Sequence, residues 1–430
     1  MKKLFMCLIS AAAFALTGTV TFTGTAAFAE TVTFTETAGF ADESAAVNAK
    51  TPYDKNYVEI MWSTSEAETA GVPLADGEFV LIPTLNKVNK LAQKDGSLVS
   101  FAELDEKVSE NCRGAVLNGV LVQPARTKIF VVETEDMRVV CSAAFGEIVT
   151  DVAVIDNYAY FGAKTGDAYK FVCADVSDGL KTVWEYASDS AVTSPSLFGE
   201  YVLFGAGESL VAHGKNGAEF AENPVGAEIT AVFAGKYAVF MSGADGNLYK
   251  LRLTDGGSAE EDTLISCGLG GELTAPAELN NRVYVGSSEG FFVLDGLNME
   301  VAERFPELKN CTAPFICTGR GQRAYTAAPY TESDGGVCWY LYNILDGDDV
   351  QTVSELAKII DYTDGRSAVA ANGTMFFRDA FGRVWAVRER ENDLFTIILK
   401  ILLMLAIIIM LMLILRAWAK KRNEKKPPQY

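Results

Sequence analysis

Histidine is nearly absent from this chain, since His213 is the only one among its 430 residues. A single histidine excludes zinc sites built from three histidines and haem sites with two histidine ligands. The sequence also lacks a C-x-x-C pair and a D-x-D-x-D-G loop, so it has no zinc-ribbon spacing and no EF-hand calcium loop. Basic residues are outnumbered, with 37 Lys and Arg against 56 Asp and Glu. The net charge of −19 excludes nucleic acid as a partner, because phosphate binding needs a basic surface.

The N-terminus has the three parts of a secretory signal peptide. Lys2 and Lys3 precede an apolar run over residues 4–16, and Ala27-Phe28-Ala29 forms a cleavage site. We therefore predict a signal peptide over residues 1–29 and an unstructured leader over residues 30–56. Residues 19–30 are nearly repeated as residues 31–42, so cleavage after Ala41 is a second option.

The C-terminus has the composition of a membrane anchor. Residues 394–415 are polar only at Thr396 and Lys400, and 22 helical residues at 1.5 Å each cross a hydrocarbon core of ~30 Å. Residues 416–430 carry six basic residues and one acid, which predicts a cytoplasmic tail by the positive-inside rule. The sequence thus predicts a single-pass type I protein of the cell membrane, with residues 57–390 outside the cytoplasm.

Residues 57–390 repeat one pattern of short alternating strands separated by Gly, Asn and Asp turns. Its copies start at Thr69, Cys112, Thr150, Thr193, Thr230, Thr274, Thr312 and Ser367. A unit of roughly 40 residues with three or four strands is typical of a propeller blade. We predict an all-β protein with an eight-bladed, alternatively seven-bladed, β-propeller, followed by one transmembrane helix. Residues 57–65 are predicted to supply the missing outer strand of the last blade and so close the ring.

The repeats, with a V/Y-x-V/F-G strand followed by an [FLY]-x-[LV]-D strand, resemble those of pyrroloquinoline-quinone-type (PQQ-like) propellers. The resemblance covers residues 57–390 and implies the fold. Quinoprotein dehydrogenases of this group have two adjacent cysteines and a calcium ion, and some carry a C-x-x-C-H haem site. This chain has neither cysteine motif, so no cofactor, metal or catalytic residue can be assigned from the family.

Six units carry one acidic residue in the turn between their second and third strands. These residues are Asp167, Glu208, Asp245, Glu289, Asp334 and Asp379. Such turns share one face of a propeller, where the carboxylates would attract cations or a basic partner. The alternative is that Asp and Gly only satisfy the geometry of tight turns.

The seventh unit is the longest, and we attribute its length to a loop over residues 328–336. Pro329, Tyr330, Glu332 and Asp334 lie in it. Insertions on one propeller face often determine what binds there. The loop and the acidic turns together form the predicted partner-binding face.

Three further residue types are assigned structural roles. Trp62 and Trp184 are predicted to pack between blades from outer strands, and His213 to lie beside a turn. Seven cysteines remain after signal cleavage, so at least one is free. They either form local pairs such as Cys112 with Cys141 or are small buried apolar residues.

The sequence therefore favours a membrane-anchored, extracytoplasmic bacterial propeller that is a non-catalytic binding or scaffold module. Residues 30–399 carry 28 basic and 55 acidic groups, a net charge of −27. The partner would be an unidentified protein or surface ligand outside the cell. Two alternatives stay open: a diverged quinone- or calcium-dependent oxidoreductase, and a ligand-capture subunit of an uptake or sensing system.

Overall fold

A computed structural model describes residues 58–64, 71–215, 217, 220–317, 323–331, 337–344, 350–353, 367–369, 373–378, 382–389, 402–414 and 416. The predicted signal peptide and leader lie outside these residues, as does most of the basic tail. Residues 402–414 are helical and fall within the predicted membrane span, whose other residues are not described. Among the described helical residues, none belongs to a helix long and apolar enough to cross a bilayer.

The described strands form eight antiparallel sheets, which follow one another along the chain. We number them in chain order as sheets 1 to 8. Sheets 1 to 4 contain β2 (Leu74–Asp76), β3 (Phe79–Pro83), β4 (Lys87–Ala92) and β5 (Leu98–Glu103); β6 (Ala115–Leu117), β7 (Val120–Pro124), β8 (Lys128–Glu133) and β9 (Arg138–Ala144); β10 (Glu147–Ile148), β11 (Ala153–Ile155), β12 (Tyr158–Thr165), β13 (Ala168–Asp175) and β14 (Lys181–Ser188); and β15 (Ser196–Phe198), β16 (Tyr201–Ala206), β17 (Ser209–Gly214) and β18 (Phe220–Pro224).

Sheets 5 to 8 repeat the same arrangement, and the last sheet includes the first strand of the chain. They contain β19 (Ile229–Ala234), β20 (Val239–Gly243), β21 (Asn247–Leu251) and β22 (Ile265–Gly268); β23 (Ala277–Leu279), β24 (Arg282–Ser287), β25 (Gly290–Asp295) and β26 (Val301–Phe305); β27 (Phe315–Cys317), β28 (Arg323–Thr331), β29 (Val337–Ile344) and β30 (Val350–Val353); and β31 (Ser367–Val369), β32 (Thr374–Arg378), β33 (Val384–Glu389) and β1 (Val58–Ser63).

The sheets form a closed ring because every neighbouring pair shares an apolar core. Leu81 of sheet 1 and Phe130 of sheet 2 lie in one such cluster, and six further clusters join sheets 2 to 8 in order. The ring closes where Phe376 of sheet 8 packs with Val80 of sheet 1. In six of the eight neighbouring pairs of sheets the first strands contact each other. The predicted β-propeller is therefore confirmed.

Ring closure takes place through the predicted strand. β1 pairs antiparallel with β33, with Val58 opposite Glu389 and Ser63 opposite Trp385. Trp62, on this strand, donates a hydrogen bond from Nε1 to the Gln93 carbonyl oxygen of sheet 1 at 2.6 Å. Joining the two ends of the repeat array in one sheet covers the edge that β33 would otherwise expose.

The threonine that begins many repeats anchors the first strand of a sheet to the second. Thr150, Thr193 and Thr274 each accept, through Oγ1, the backbone N–H of the glycine twelve residues later, at 2.6, 2.8 and 3.0 Å. The first of these glycines, Gly162, has no room for a side chain, because a Cβ there would lie 2.5 Å from Thr150 Cγ2. The recurrent Thr and Gly of the repeats are thus explained by one local hydrogen bond.

Tryptophan and cysteine have the packing roles expected of them. Trp184 of sheet 3 stacks on His213 of sheet 4, with ring centroids 3.8 Å apart and planes 6° from parallel. Both Trp62 and Trp184 therefore pack between sheets, as predicted. The described cysteines Cys112, Cys141, Cys173, Cys267, Cys311 and Cys317 are all free thiols. The suggested Cys112–Cys141 pair is thus not formed.

Candidate functional site

One face of the ring carries the turns between second and third strands together with the connections between sheets. Backbone hydrogen bonds tie these two sets together: Val225 N donates to the Glu208 carbonyl oxygen at 2.9 Å, and Ala244 N to that of Glu228 at 2.8 Å. We call this side of the ring the upper face. It places residues from different repeats next to each other.

The structure places four of the predicted acidic residues on the upper face, in four consecutive sheets. Asp167, Glu208, Asp245 and Glu289 lie in the turns of sheets 3, 4, 5 and 6 and are exposed. The other predicted residues of this group, Asp334 and Asp379, lie outside the described residues, as does Glu332.

A second acidic residue accompanies each of these turns, and the sequence interpretation missed it. It comes from the connection that enters the same sheet, and in each case it is exposed: Glu147, Asp189, Glu228 and Glu272. Each precedes a repeat-start threonine by two to four residues, a regularity that is visible in the sequence. Together with the four turn residues they form eight carboxylates, which we call the acidic sector.

The acidic sector is not explained by turn geometry alone. In the turns of sheets 3 and 4 the residue with positive φ is a glycine, Gly166 at 62° and Gly207 at 58°, and the acid beside it is outside that region. None of the eight carboxylates forms an ion pair within 4.0 Å with a described basic side chain. Lys164 lies opposite Glu147 and interacts electrostatically with Glu147 and Asp167, so the charge of the other six carboxylates is the part available to a partner.

Asp245 is the member of the sector that the fold itself uses. Its carboxylate accepts hydrogen bonds from the Tyr249 hydroxyl and the Asn247 amide, both at 2.6 Å. Partial burial acts to raise the pKa of Asp245, but these hydrogen bonds outweigh it and hold the pKa below its usual value. Asp245 is thus ionised and fixed in position.

Some carboxylates on the opposite face are engaged by their neighbours. Asp95 and Asp175 accept hydrogen bonds from Ser97 and Ser177 in the turns between third and fourth strands, and Glu133 pairs with Arg138. These acids stabilise turns and neighbouring strands, whereas most carboxylates of the acidic sector stabilise neither a turn nor a strand. What distinguishes the upper face is that its exposed acids come in pairs in four consecutive sheets, 3 to 6.

Two long hairpins flank the acidic sector. β12 and β13 pair over eight residues each, as do β28 and β29, whereas the corresponding hairpins of the other sheets pair over four to six. β12 continues three residues beyond Gly162, and β16 only one beyond the equivalent Gly205. The extra length therefore extends from the upper face. Sheets 3 and 7 are four apart in the ring of eight, so these hairpins lie on opposite sides of it.

The described part of the loop predicted at residues 328–336 is strand. Residues 328–331 belong to β28, with Pro329 opposite Trp339 and Tyr330 opposite Cys338. The loop was predicted from the length of the unit, whereas β28 continues through Pro329, a residue that is uncommon inside a paired strand. Pro329 is partly buried, and residues 332–336 lie outside the description. The seventh unit thus extends by a longer hairpin.

The remaining candidates for chemistry contribute no site. Among the described residues there is no group of three or more His, Cys, Asp and Glu arranged to hold a metal ion. His213 is buried at 7% exposure and its Nδ1 lies 3.1 Å from the Gly214 carbonyl oxygen. It packs on Trp184 and touches no second reactive group that the structure describes.

Acid is expected to destabilise the protein through His213. Burial lowers the pKa of His213 from its ordinary 6.5, and the hydrogen bond to Gly214 only partly offsets this. The unfolded chain then binds a proton at a pH where the folded protein does not, so stability falls as the pH drops below about 6.5 and levels off below the folded pKa. The slope of the free energy of unfolding against pH corresponds to the uptake of at most one proton.

Urea unfolding of the purified chain between pH 7.5 and 5 measures this effect. His213→Phe keeps a ring stacked on Trp184 but cannot titrate, so the variant should show a shallower loss of stability than the parent over this range. Equal slopes for both proteins would show that His213 does not contribute.

Comparison with solved structures shows the same fold in proteins of low sequence identity. BamB from Moraxella catarrhalis superposes with a TM-score of 0.59 at 14% identity, covering 77% of this chain and 99% of that one. Sqt1 from Saccharomyces cerevisiae gives 0.57 at 12%, covering 76% and 97%. A europium-containing methanol dehydrogenase gives 0.51 at 9%, covering 74% and 84%.

No protein-family model matches the sequence, and neither does any curated protein. BamB and the methanol dehydrogenase nevertheless share the propeller fold of this chain, in agreement with the resemblance of its repeats to PQQ-like propellers. At these identities the similarity concerns the fold alone.

Proposed function

We propose that this protein is an eight-bladed propeller anchored in the cell membrane of a bacterium, and that it binds a basic protein partner on its upper face. In this proposal residues 394–415 span the membrane and the propeller lies outside the cytoplasm. The protein is a scaffold or capture module and not an enzyme. The observation that carries the proposal is the acidic sector, whose carboxylates have no described ion-pair partners.

Charge and shape support a protein as the partner. The sector extends over sheets 3 to 6, and a basic surface would meet several carboxylates at once. In sheet 2 the equivalent turn carries Arg126 instead of an acid, and its N–H donates to the Lys107 carbonyl oxygen at 3.0 Å. Among the described turns, the run of acidic residues therefore ends at sheet 2, which would help to orient a docked partner.

Neutralising the sector should weaken partner capture at least tenfold, since each lost carboxylate removes part of the attraction. The variant combines Glu208→Gln, Glu228→Gln, Glu272→Gln and Glu289→Gln, which spares the hydrogen-bonded Asp245. A membrane-impermeant crosslinker applied to intact cells, followed by mass spectrometry, identifies the captured proteins. The parent protein should enrich Lys- and Arg-rich partners, and their recovery should fall with added salt.

A matched control variant removes the same number of negative charges from the opposite face of the ring. Glu78, Glu135, Glu261 and Glu300 are exposed and lie in the turns of the opposite face. Their combined Gln variant should capture the same partners as the parent. Equal loss in both variants would refute the assignment of the site, and no crosslinking of the propeller from outside would refute its orientation.

A further inference from the structure

The chain leaves the ring on the face opposite the acidic sector. Third strands run from the upper face to the opposite face, because the turns between second and third strands lie on the upper face. β33 is the third strand of sheet 8, so it ends on the opposite face at Glu389. β1 pairs antiparallel with β33 and places Val58 opposite Glu389. Both ends of the repeat array therefore lie together, at sheet 8 and on the opposite face.

Few residues separate this exit from the predicted membrane span. Residues 390–393 lie between Glu389 and the start of the span at residue 394, and four residues extend at most about 15 Å. A single third strand, the eight-residue β13, covers roughly 25 Å at about 3.3 Å per residue. The connection is shorter than the depth of the propeller, so it cannot bring the upper face down onto a bilayer that holds the span.

The acidic sector also lies across the ring from this exit. It occupies sheets 3 to 6, and sheet 4 is four sheets away from sheet 8, which is directly across a ring of eight. A propeller standing on its opposite face holds the sector above the bilayer by its depth. A propeller leaning on the outer edge of sheet 8 holds the sector away by its width. Anionic headgroups would also repel the exposed carboxylates, which favours both placements over one with the sector at the lipid.

We propose that the acidic sector is the part of the propeller held farthest from the membrane, and that its basic partner meets it on the side away from the bilayer. This placement rests on the membrane anchor of the proposed function and restricts the partner further. A basic segment lying at the lipid headgroups, such as the juxtamembrane residues of another anchored protein, does not reach the sector. The partner is a protein or domain that extends roughly 25 Å or more from the bilayer surface.

Energy transfer from the propeller to a labelled membrane measures this placement. The full chain is reconstituted into vesicles that carry an acceptor dye on a lipid headgroup. The donor dye is attached through an azide-bearing amino acid, because the native free thiols would react with a cysteine-directed dye. Four exposed glutamates are replaced one at a time: Glu208 and Glu289 in the sector, and Glu78 and Glu200 in turns of the opposite face.

Transfer from Glu78, in the sheet beside sheet 8, should exceed that from either sector site by about threefold or more, since the sites differ in distance by the depth or the width of the ring. Glu200 shares sheet 4 with Glu208 and distinguishes the two placements. Its transfer should approach that of Glu78 if the propeller stands on its opposite face, and that of Glu208 if it leans on sheet 8. Transfer from a sector site that equals or exceeds the value for Glu78 would overturn the placement.

Flotation of the same vesicles tests the anchor separately. The parent chain should float with them, whereas Ile407→Asp with Ile409→Asp, which puts two charges into the predicted span, should not. A parent that floats but transfers most strongly from the sector sites refutes the placement and leaves the anchor standing. A parent that does not float refutes the anchor and the placement with it.

Discussion

Replacing Trp62 with alanine is expected to lower the free energy of unfolding by about 3 kcal/mol, because its indole closes the ring. Trp62 packs on the core between sheets 8 and 1, 5.9 Å from the Phe376 ring centroid, and donates to the Gln93 carbonyl oxygen. Loss of the side chain leaves a cavity and removes one hydrogen bond from the Gln93 carbonyl oxygen, at the junction of the two ends of the repeat array. Urea unfolding followed by far-UV circular dichroism measures the change.

Two companion variants separate packing from closure. Trp62→Phe keeps a ring but loses the hydrogen bond, so it should cost about 1 kcal/mol. Deleting residues 58–63 removes the whole outer strand of sheet 8 and should abolish the cooperative transition. A deletion that unfolds with the stability of the parent would show that β1 is not needed for closure.

Phe204→Ala is expected to cost about 4 kcal/mol, which is the larger of the two effects on stability. Phe204 is fully buried and stacks on Phe171 with centroids 3.8 Å apart and planes 4° from parallel. Tyr186 meets the Phe204 ring edge-on at 5.4 Å. Truncation would empty the centre of the core between sheets 3 and 4, and the same unfolding measurement reports it.

Phe220 is the matched control for this substitution. It lies in sheet 4 but is 60% exposed, so Phe220→Ala should cost less than about 1 kcal/mol. Phe204→Leu, which fills part of the space, should fall between the two. Similar losses for Phe204→Ala and Phe220→Ala would contradict the core position of Phe204.

The repeat pattern predicted most of the fold because strands, turns and the hydrogen bonds between them are specified within a single repeat. Alternating apolar residues predict strands, and Gly and Asp mark the turns at their ends. The Thr and Gly of each repeat, such as Thr193 and Gly205, recur because a hydrogen bond joins them. The closure strand was predictable for a topological reason, since the last unit lacks an outer strand and the segment before the first unit is one. The sequence motifs that specify these features lie within one unit or at its ends.

The candidate site was predicted only in part. Asp167, Glu208, Asp245 and Glu289 were found because each lies at a fixed place within a repeat. Glu228 and Glu272 were missed, because they belong to connections that the repeat pattern leaves out. Residues 328–331 of sheet 7 were predicted as part of a loop from the length of the unit, whereas they continue a long strand.

By itself the sequence determined the propeller class, the strand that closes it and the sign of its charge, because periodicity and composition are properties of the chain alone. Only the tertiary structure decided which carboxylates share a surface and which of them are engaged by neighbours. Glu147 and Glu289 are far apart along the chain. The packing of successive sheets into a ring places both residues on its upper face. Proximity of this kind depends on how sheets pack, which no single repeat encodes.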